Sequence, residues 1–192
     1  MLNTVTNQNR RFPVSSVQSD NVVKNKIPTS KAEKDNSIIF SMKHLKCTSV
    51  KNSSFNNCFY SISVYANWIT LFLKKITEFS SMSVQELSQG GKSTRFHTVE
   101  DGDLAKLKKI VKEAGLDVDK LFKQEESNSY YELSFGTSRG RMFGYLAGNT
   151  YYILLIDPHH LVYPNYSKGA KEALISNRYD PWTDSYINNS VI

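Results

Sequence analysis

Residues 130–164 read YYELSFGTSRGRMFGYLAGNTYYILLIDPHHLVYP, and their punctuation decides the fold. Tyr130 to Phe135 is an aromatic and apolar run with strand character. Residues 136–140 (GTSRG) make a turn with glycine at each end. Arg141 to Leu146 is a second strand. Ala147, Gly148 and Asn149 then form a tight turn from residues that tolerate positive φ. Thr150 to Ile156 is a third strand. Ile153, Leu154, Leu155 and Ile156 are apolar at consecutive positions, the pattern of a strand covered on both faces. Asp157-Pro158 ends it. The stretch predicts an antiparallel meander whose last strand exits into His159, His160 and Tyr163.

Upstream, Ser37 to Leu45 alternates as a strand, with Ile38, Phe40, Met42 and His44 as its core-facing set. His44 reads as a structural histidine at the end of that face. A loop containing Asn52, Asn56 and Asn57 leads to the clearest helix of the chain. There Ile62, Tyr65, Ala66, Ile69, Phe72, Leu73, Ile76 and Phe79 recur at the spacing of one helix face, with Trp68 beside the stripe. Ser83 and Glu86 fit a capping box for a short helix that runs to Gln89 and stops at Gly90-Gly91. Residues 92–99 (KSTRFHTV) read as a short strand or extended loop. Asp101 or Asp103 is expected to cap a further helix carrying Leu104, Leu107, Ile110, Val111 and Ala114, ended by Gly115.

Together these elements predict an α+β domain: an N-terminal strand and helices packed on a C-terminal antiparallel meander. Residues 1–36 read as a flexible basic arm, too polar to offset the entropy of ordering. Residues 37–166 form the single domain. Residues 167–192 hold a short helix from Lys168 to Ser176 and a tail whose Tyr179, Trp182 and Tyr186 suit a protein partner.

The chain has 192 residues, 40% of them hydrophobic, enough for one domain with a substantial core. Its formal net charge of +6 is compatible with nucleic acid, a ribosome, an anionic membrane or an acidic protein. Cys47 and Cys58 do not form a CxxC pair, and reduced thiols in a cytoplasm are the expectation. No secretory leader is read in the first twenty residues. The apolar region from Tyr60 to Leu73 is interrupted by Ser61, Ser63, Asn67 and Thr70, so no membrane span is expected.

The chemistry-bearing residues gather at the ends of the meander. Arg141 opens its second strand, and His159 follows its third. Antiparallel neighbours therefore place them at one end of the sheet. Cleavage of RNA without a metal needs a base for the 2′-hydroxyl, a cation for the phosphate and an acid for the leaving 5′-oxygen. Histidine serves as acid or base near neutral pH. Arginine grips phosphate through two parallel bonds. Tyrosine positions a group or stacks on a base. His159, His160, Arg141 and Tyr163 are the candidate catalytic residues on this reasoning. Arg95, His97 and Arg139 are the candidate nucleic-acid contacts. Adjacent histidines on an extended chain point opposite ways, so no metal site is expected, nor any cofactor.

The element order and local text resemble the RelE/ParE superfamily of small bacterial toxins over roughly residues 37–165. The corresponding segments are Tyr131-Glu132-Leu133-Ser134, Gly140-Arg141-Met142-Phe143, Gly148-Asn149 and Tyr152 to Ile156. Ser134 stands where that family usually carries an arginine, and His159-His160 where it often carries two lysines. The resemblance implies a cytoplasmic, metal-independent endoribonuclease held inactive by an antitoxin-like partner. A second reading is a non-catalytic binder of protein or nucleic acid from a phage, mobile element or defence system. A third is a structural domain without nucleic-acid contact.

Overall fold

A computed structural model of the chain describes residues 36–91, 94–124, 129–136, 140–164 and 169–183. Its elements run β1 (Ile39–Ser41), α1 (Ile62–Phe79), α2 (Val84–Gln89), β2 (His97–Thr98), α3 (Asp101–Glu113), α4 (Val118–Gln124), β3 (Tyr130–Ser134), β4 (Arg141–Ala147), β5 (Thr150–Asp157) and α5 (Ala170–Ser176). The strands form one five-stranded sheet in the order β1-β5-β4-β3-β2. The meander β3-β4-β5 is antiparallel, β2 adds antiparallel to β3, and β1 adds parallel to β5. The fold is thus mixed α+β around a mostly antiparallel sheet.

Helices cover both faces of the sheet. Phe72 and Phe79 of α1 and Leu87 of α2 pack with Ile38, Leu133, Met142, Tyr151 and Ile153 on one side. Leu107, Ile110 and Val111 of α3, Leu121 and Phe122 of α4 and Ala170 of α5 pack with Tyr130, Phe143, Tyr145 and Leu155 on the other. Strand alternation delivers the two sets to opposite faces.

The β4-β5 ladder carries one irregularity. The register shifts between Phe143 and Gly144: Gly144 faces Ile153, Phe143 faces Leu155, and Leu154 has no partner. This is a β-bulge, which turns the residues beyond it through to the other face. Leu154 and Leu155, adjacent in sequence, consequently share one core layer. A Cβ on Gly144 would lie 2.2 Å from the Tyr152 carbonyl oxygen, so only glycine permits this approach.

Three expectations are corrected. The first strand ends early, because residues 43–44 form a turn, leaving Met42 exposed rather than in the core. The core face of α1 is rotated towards Trp68: Tyr65, Trp68, Phe72, Ile76 and Phe79 face inwards, whereas Ile62 (63% exposed) and Leu73 (53%) face outwards. Finally, Glu100 occupies the N-cap position of α3, with no side-chain cap bond, and Asp101 and Asp103 lie in its first turn, where negative charge suits the helix dipole. The helix α4 has no counterpart in the sequence reading.

The capping box of α2 is present in full: the Ser83 hydroxyl accepts from Glu86 N, and the Glu86 carboxylate accepts from Ser83 N. The segment after α5 is tied down. Tyr179 and Phe59 exchange backbone hydrogen bonds at 2.7 and 2.8 Å. Tyr186 and residues 1–35 lie outside the described residues. No helix among the described residues is long and apolar enough to cross a membrane.

Candidate acid–base site

The site grows from one strand. Tyr130, Glu132 and Ser134 alternate along β3 onto the α3-covered face, which carries the carboxylate of Glu132 indoors with Tyr130. The Glu132 side chain is fully buried. β2 pairs so that His97 stands opposite Glu132, with its ring Nε2 3.9 Å from Glu132 Oε1. The first residue of β4, Arg141, reaches the same carboxylate from the other side: its Nη1 donates to Glu132 Oε2 at 2.9 Å. The guanidinium carbon lies 5.3 Å from the centre of the Tyr163 ring, a cation–π arrangement.

The loop after β5 supplies the remaining parts, and Asp157 shapes it. Asp157 Oδ1 accepts from His159 N (3.2 Å) and Leu161 N (2.9 Å), and Oδ2 accepts from Val162 N (2.8 Å). These bonds fold the chain back over the sheet end. The bulge is what turns Asp157 to this face, in step with Leu155. Within the loop His160 adopts φ 57°, a left-handed conformation uncommon for a residue with a side chain. Its Nδ1 takes the Nε–H of Arg141 at 2.5 Å, and its Nε2 lies 3.1 Å from Gly140 N. Arg95, at φ 45°, is the other left-handed residue among the described ones that is not glycine, and it acts electrostatically on both Glu132 and His160. Backbone strain of this kind gathers at functional sites.

The electrostatics follow from burial. Loss of solvent pushes the Glu132 carboxyl above its ordinary range, against the opposing pull of Arg141, His97 and Arg95. Burial and the neighbouring Arg141 push His160 down to about 4, so its imidazole is neutral at physiological pH. Burial, with Asp103 adding to it, raises Tyr163, which keeps its phenolic proton. Burial also lowers Lys106, whose ammonium donates to Leu161 O at 2.6 Å and pins the loop to α3.

Five of the residues singled out from sequence converge here: Arg141, His160 and Tyr163 with Arg95 and His97. His159 does not join them. Its Nε2 donates to Cys58 O at 2.6 Å and lies 3.0 Å from the Asn177 amide, while its ring packs edge-on to Phe59. Burial lowers its pKa as well. His159 therefore ties the loop to the 56–59 segment instead of facing the cluster. Arg139 lies outside the described residues. The residue that the sequence reading passes over is Glu132. The signal is present: a carboxylate on the same strand face as Tyr130, where an apolar side chain would serve a core.

Glu132 Oε1 has no hydrogen-bond partner among the described residues. A buried, half-satisfied carboxylate of this kind costs stability, and it calls for a functional account. His97 provides a route to solvent. Its side chain is 55% exposed, and its Nδ1 lies 3.0 Å from Thr98 O, to which it donates. That bond leaves Nε2 to exchange a proton on the side of Glu132. An exposed imidazole nitrogen thus lies 3.9 Å from a buried carboxylate oxygen, an acid–base pair at the edge of the sheet. Among the described residues no group of three His, Cys, Asp or Glu side chains is placed to hold a metal ion.

A family model described as Uncharacterised protein UU032 matches residues 41–183, a span that contains the whole cluster. No curated protein and no solved structure matches the chain.

Proposed function

The chain belongs to the Uncharacterised protein UU032 family, and for this member we propose metal-independent acid–base cleavage of RNA at the Glu132–His97–Arg141 cluster, in the manner of a RelE-like toxin. The observation that carries the proposal is Glu132 Oε1: a fully buried carboxylate oxygen with no donor among the described residues, 3.9 Å from the ring of an exposed histidine and flanked by arginine. The element order supports the RelE-like part of the reading: β1, α1 and α2 come first and a three-strand meander comes later, with β2, α3 and α4 between them.

In this reaction Glu132 takes the 2′-hydroxyl proton. The 2′-oxygen attacks the adjacent phosphorus, the bond to the 5′-oxygen breaks, and protonated His97 returns a proton to that leaving oxygen. The products are a 2′,3′-cyclic phosphate and a 5′-hydroxyl end. Arg95 and the nitrogen of Arg141 not engaged with Glu132 compensate the charge that builds on the phosphate. Tyr163 supports the guanidinium from below. An inhibitory protein partner and a cytoplasmic setting belong to the same proposal.

The test is RNA cleavage by the full chain in excess chelator, with product ends identified. Cyclic phosphate ends are expected from the wild type. Glu132→Gln and His97→Ala are each expected to lower the rate by about 10²–10⁴-fold, the ordinary contribution of a general acid or base. Cleavage by Glu132→Gln at the wild-type rate would overturn the proposal. Retention of RNA without cleavage by any form would favour the non-catalytic reading.

A further inference from the structure

By residue type His160 is a candidate catalytic group, yet its surroundings suit a different task. Both ring nitrogens face N–H groups: Nδ1 the Nε–H of Arg141 at 2.5 Å, and Nε2 the N–H of Gly140 at 3.1 Å. A neutral imidazole has a single acceptor. We assign the acceptor to Nδ1, where the contact is shorter and charge-assisted; the ring proton then sits on Nε2, and the Gly140 N–H, directed at that nitrogen, must turn aside from it. With Nε held, the planar guanidinium has only one remaining freedom, and Nη1 falls 2.9 Å from Glu132 Oε2. The Tyr163 ring closes off one face of the same plane.

We propose that His160 is a positioning residue: by accepting from Arg141 Nε it fixes the guanidinium on Glu132 and so governs how that carboxylate's charge is compensated. The left-handed backbone of residue 160 fits this role, because the Asp157-stapled loop turns there and aims the ring back at Arg141. The charged and titratable groups that act on Glu132 are Arg95 and His97 from the β2 side, Arg141 from β4 and, more remotely, Tyr151 and Tyr163; those that act on His160 are Arg141, Asp157, Arg95 and His159. Among the described residues Arg141 is the one group held by direct bonds to both Glu132 and His160, so a change at position 160 reaches Glu132 through it. The kinetic meaning of this control rests on the proposed RNA cleavage. The positioning itself does not.

Two substitutions separate the ring from the backbone. Glycine and asparagine both accept a left-handed conformation, so neither strains the loop. Asparagine offers an acceptor to Arg141, and glycine offers none. The readout is a ¹³C carboxyl NMR titration of Glu132 in the full chain, with the resonance assigned by its loss in Glu132→Gln. His160→Asn is expected to titrate as the wild type does. His160→Gly is expected to move the Glu132 midpoint upward by about one unit, the lower end of what an adjacent guanidinium does to a carboxylate. An unchanged midpoint in His160→Gly, or equal upward shifts in both variants, would overturn the proposal. Absence of RNA cleavage by the wild type would sink the cleavage reaction while leaving this titration intact, so the two ideas fail separately.

Discussion

Glu132 and His160 pull the pH dependence of stability in opposite directions. Burial raises Glu132 above its unfolded value, so between the two values the folded chain holds the extra proton. Its contribution to stability is full at low pH and is lost as pH rises through the folded value. His160, lowered to about 4, behaves in the opposite sense: its contribution is full above the unfolded histidine value and is lost as pH falls towards 4. His159 is lowered too and adds to the second effect. The histidines make the thermal midpoint rise between about pH 4 and 6.5, against the fall that Glu132 contributes. Glu132→Gln should steepen that rise by removing the opposing group. His160→Asn should flatten it. Thermal melts followed by circular dichroism across that range check both, and a Glu132→Gln profile parallel to the wild type would contradict the assignment.

The elements divide into those specified locally and those specified by partners. The capping box of α2 and the hairpin at 147–149 are written in neighbouring residues, and they are legible in the sequence. The rotated face of α1 is not. Its stripe is broad enough to be read two residues either way, and the packing of Trp68 and Phe72 on Phe135 decides between them. Accordingly, Ile62→Lys and Leu73→Lys are expected to leave the stability in urea unfolding within about 0.5 kcal/mol of wild type, as ordinary surface changes do. The bulge is equally hidden, because a run of apolar residues reads the same in either register. It fixes the face of Asp157 and with it the loop that carries His160. A Cβ at Gly144 meets backbone, so Gly144→Ala should cost about 1–3 kcal/mol in urea unfolding, in the range of overpacked cores. The site is legible in its strand-end and loop members, Arg95, His97, Arg141, His160 and Tyr163, because their types announce chemistry. Glu132 is not, since a lone charge in strand text reads as pointing outwards, and only the packing of α3 turns its face into an interior.

At the scale of the whole described unit, polar ties join segments far apart in sequence. Asn56 is fully buried; its amide donates to Ala173 O and Asn177 O, and its carbonyl accepts from Cys58 N. Asn56→Ala would leave those carbonyls without donors, at a cost of about 1–3 kcal/mol. Hydrogen exchange should show α5 losing protection first, whereas uniform loss across all elements would contradict this local role. A different consequence follows from the parallel pairing of β1 with β5. Ile39 sits beside Thr150, about 110 residues further along the chain. Such a contact closes a very long loop, so it is slow to form and has little to gain until its partner is already in place. The β3-β4-β5 hairpins, by contrast, are closed by short turns. During synthesis β1 leaves the ribosome well before β5 exists, so it waits with its strand edge unmatched. The order of assembly is thus the reverse of the order of translation: the meander forms from its own turns, and the first strand made is the last to find its place.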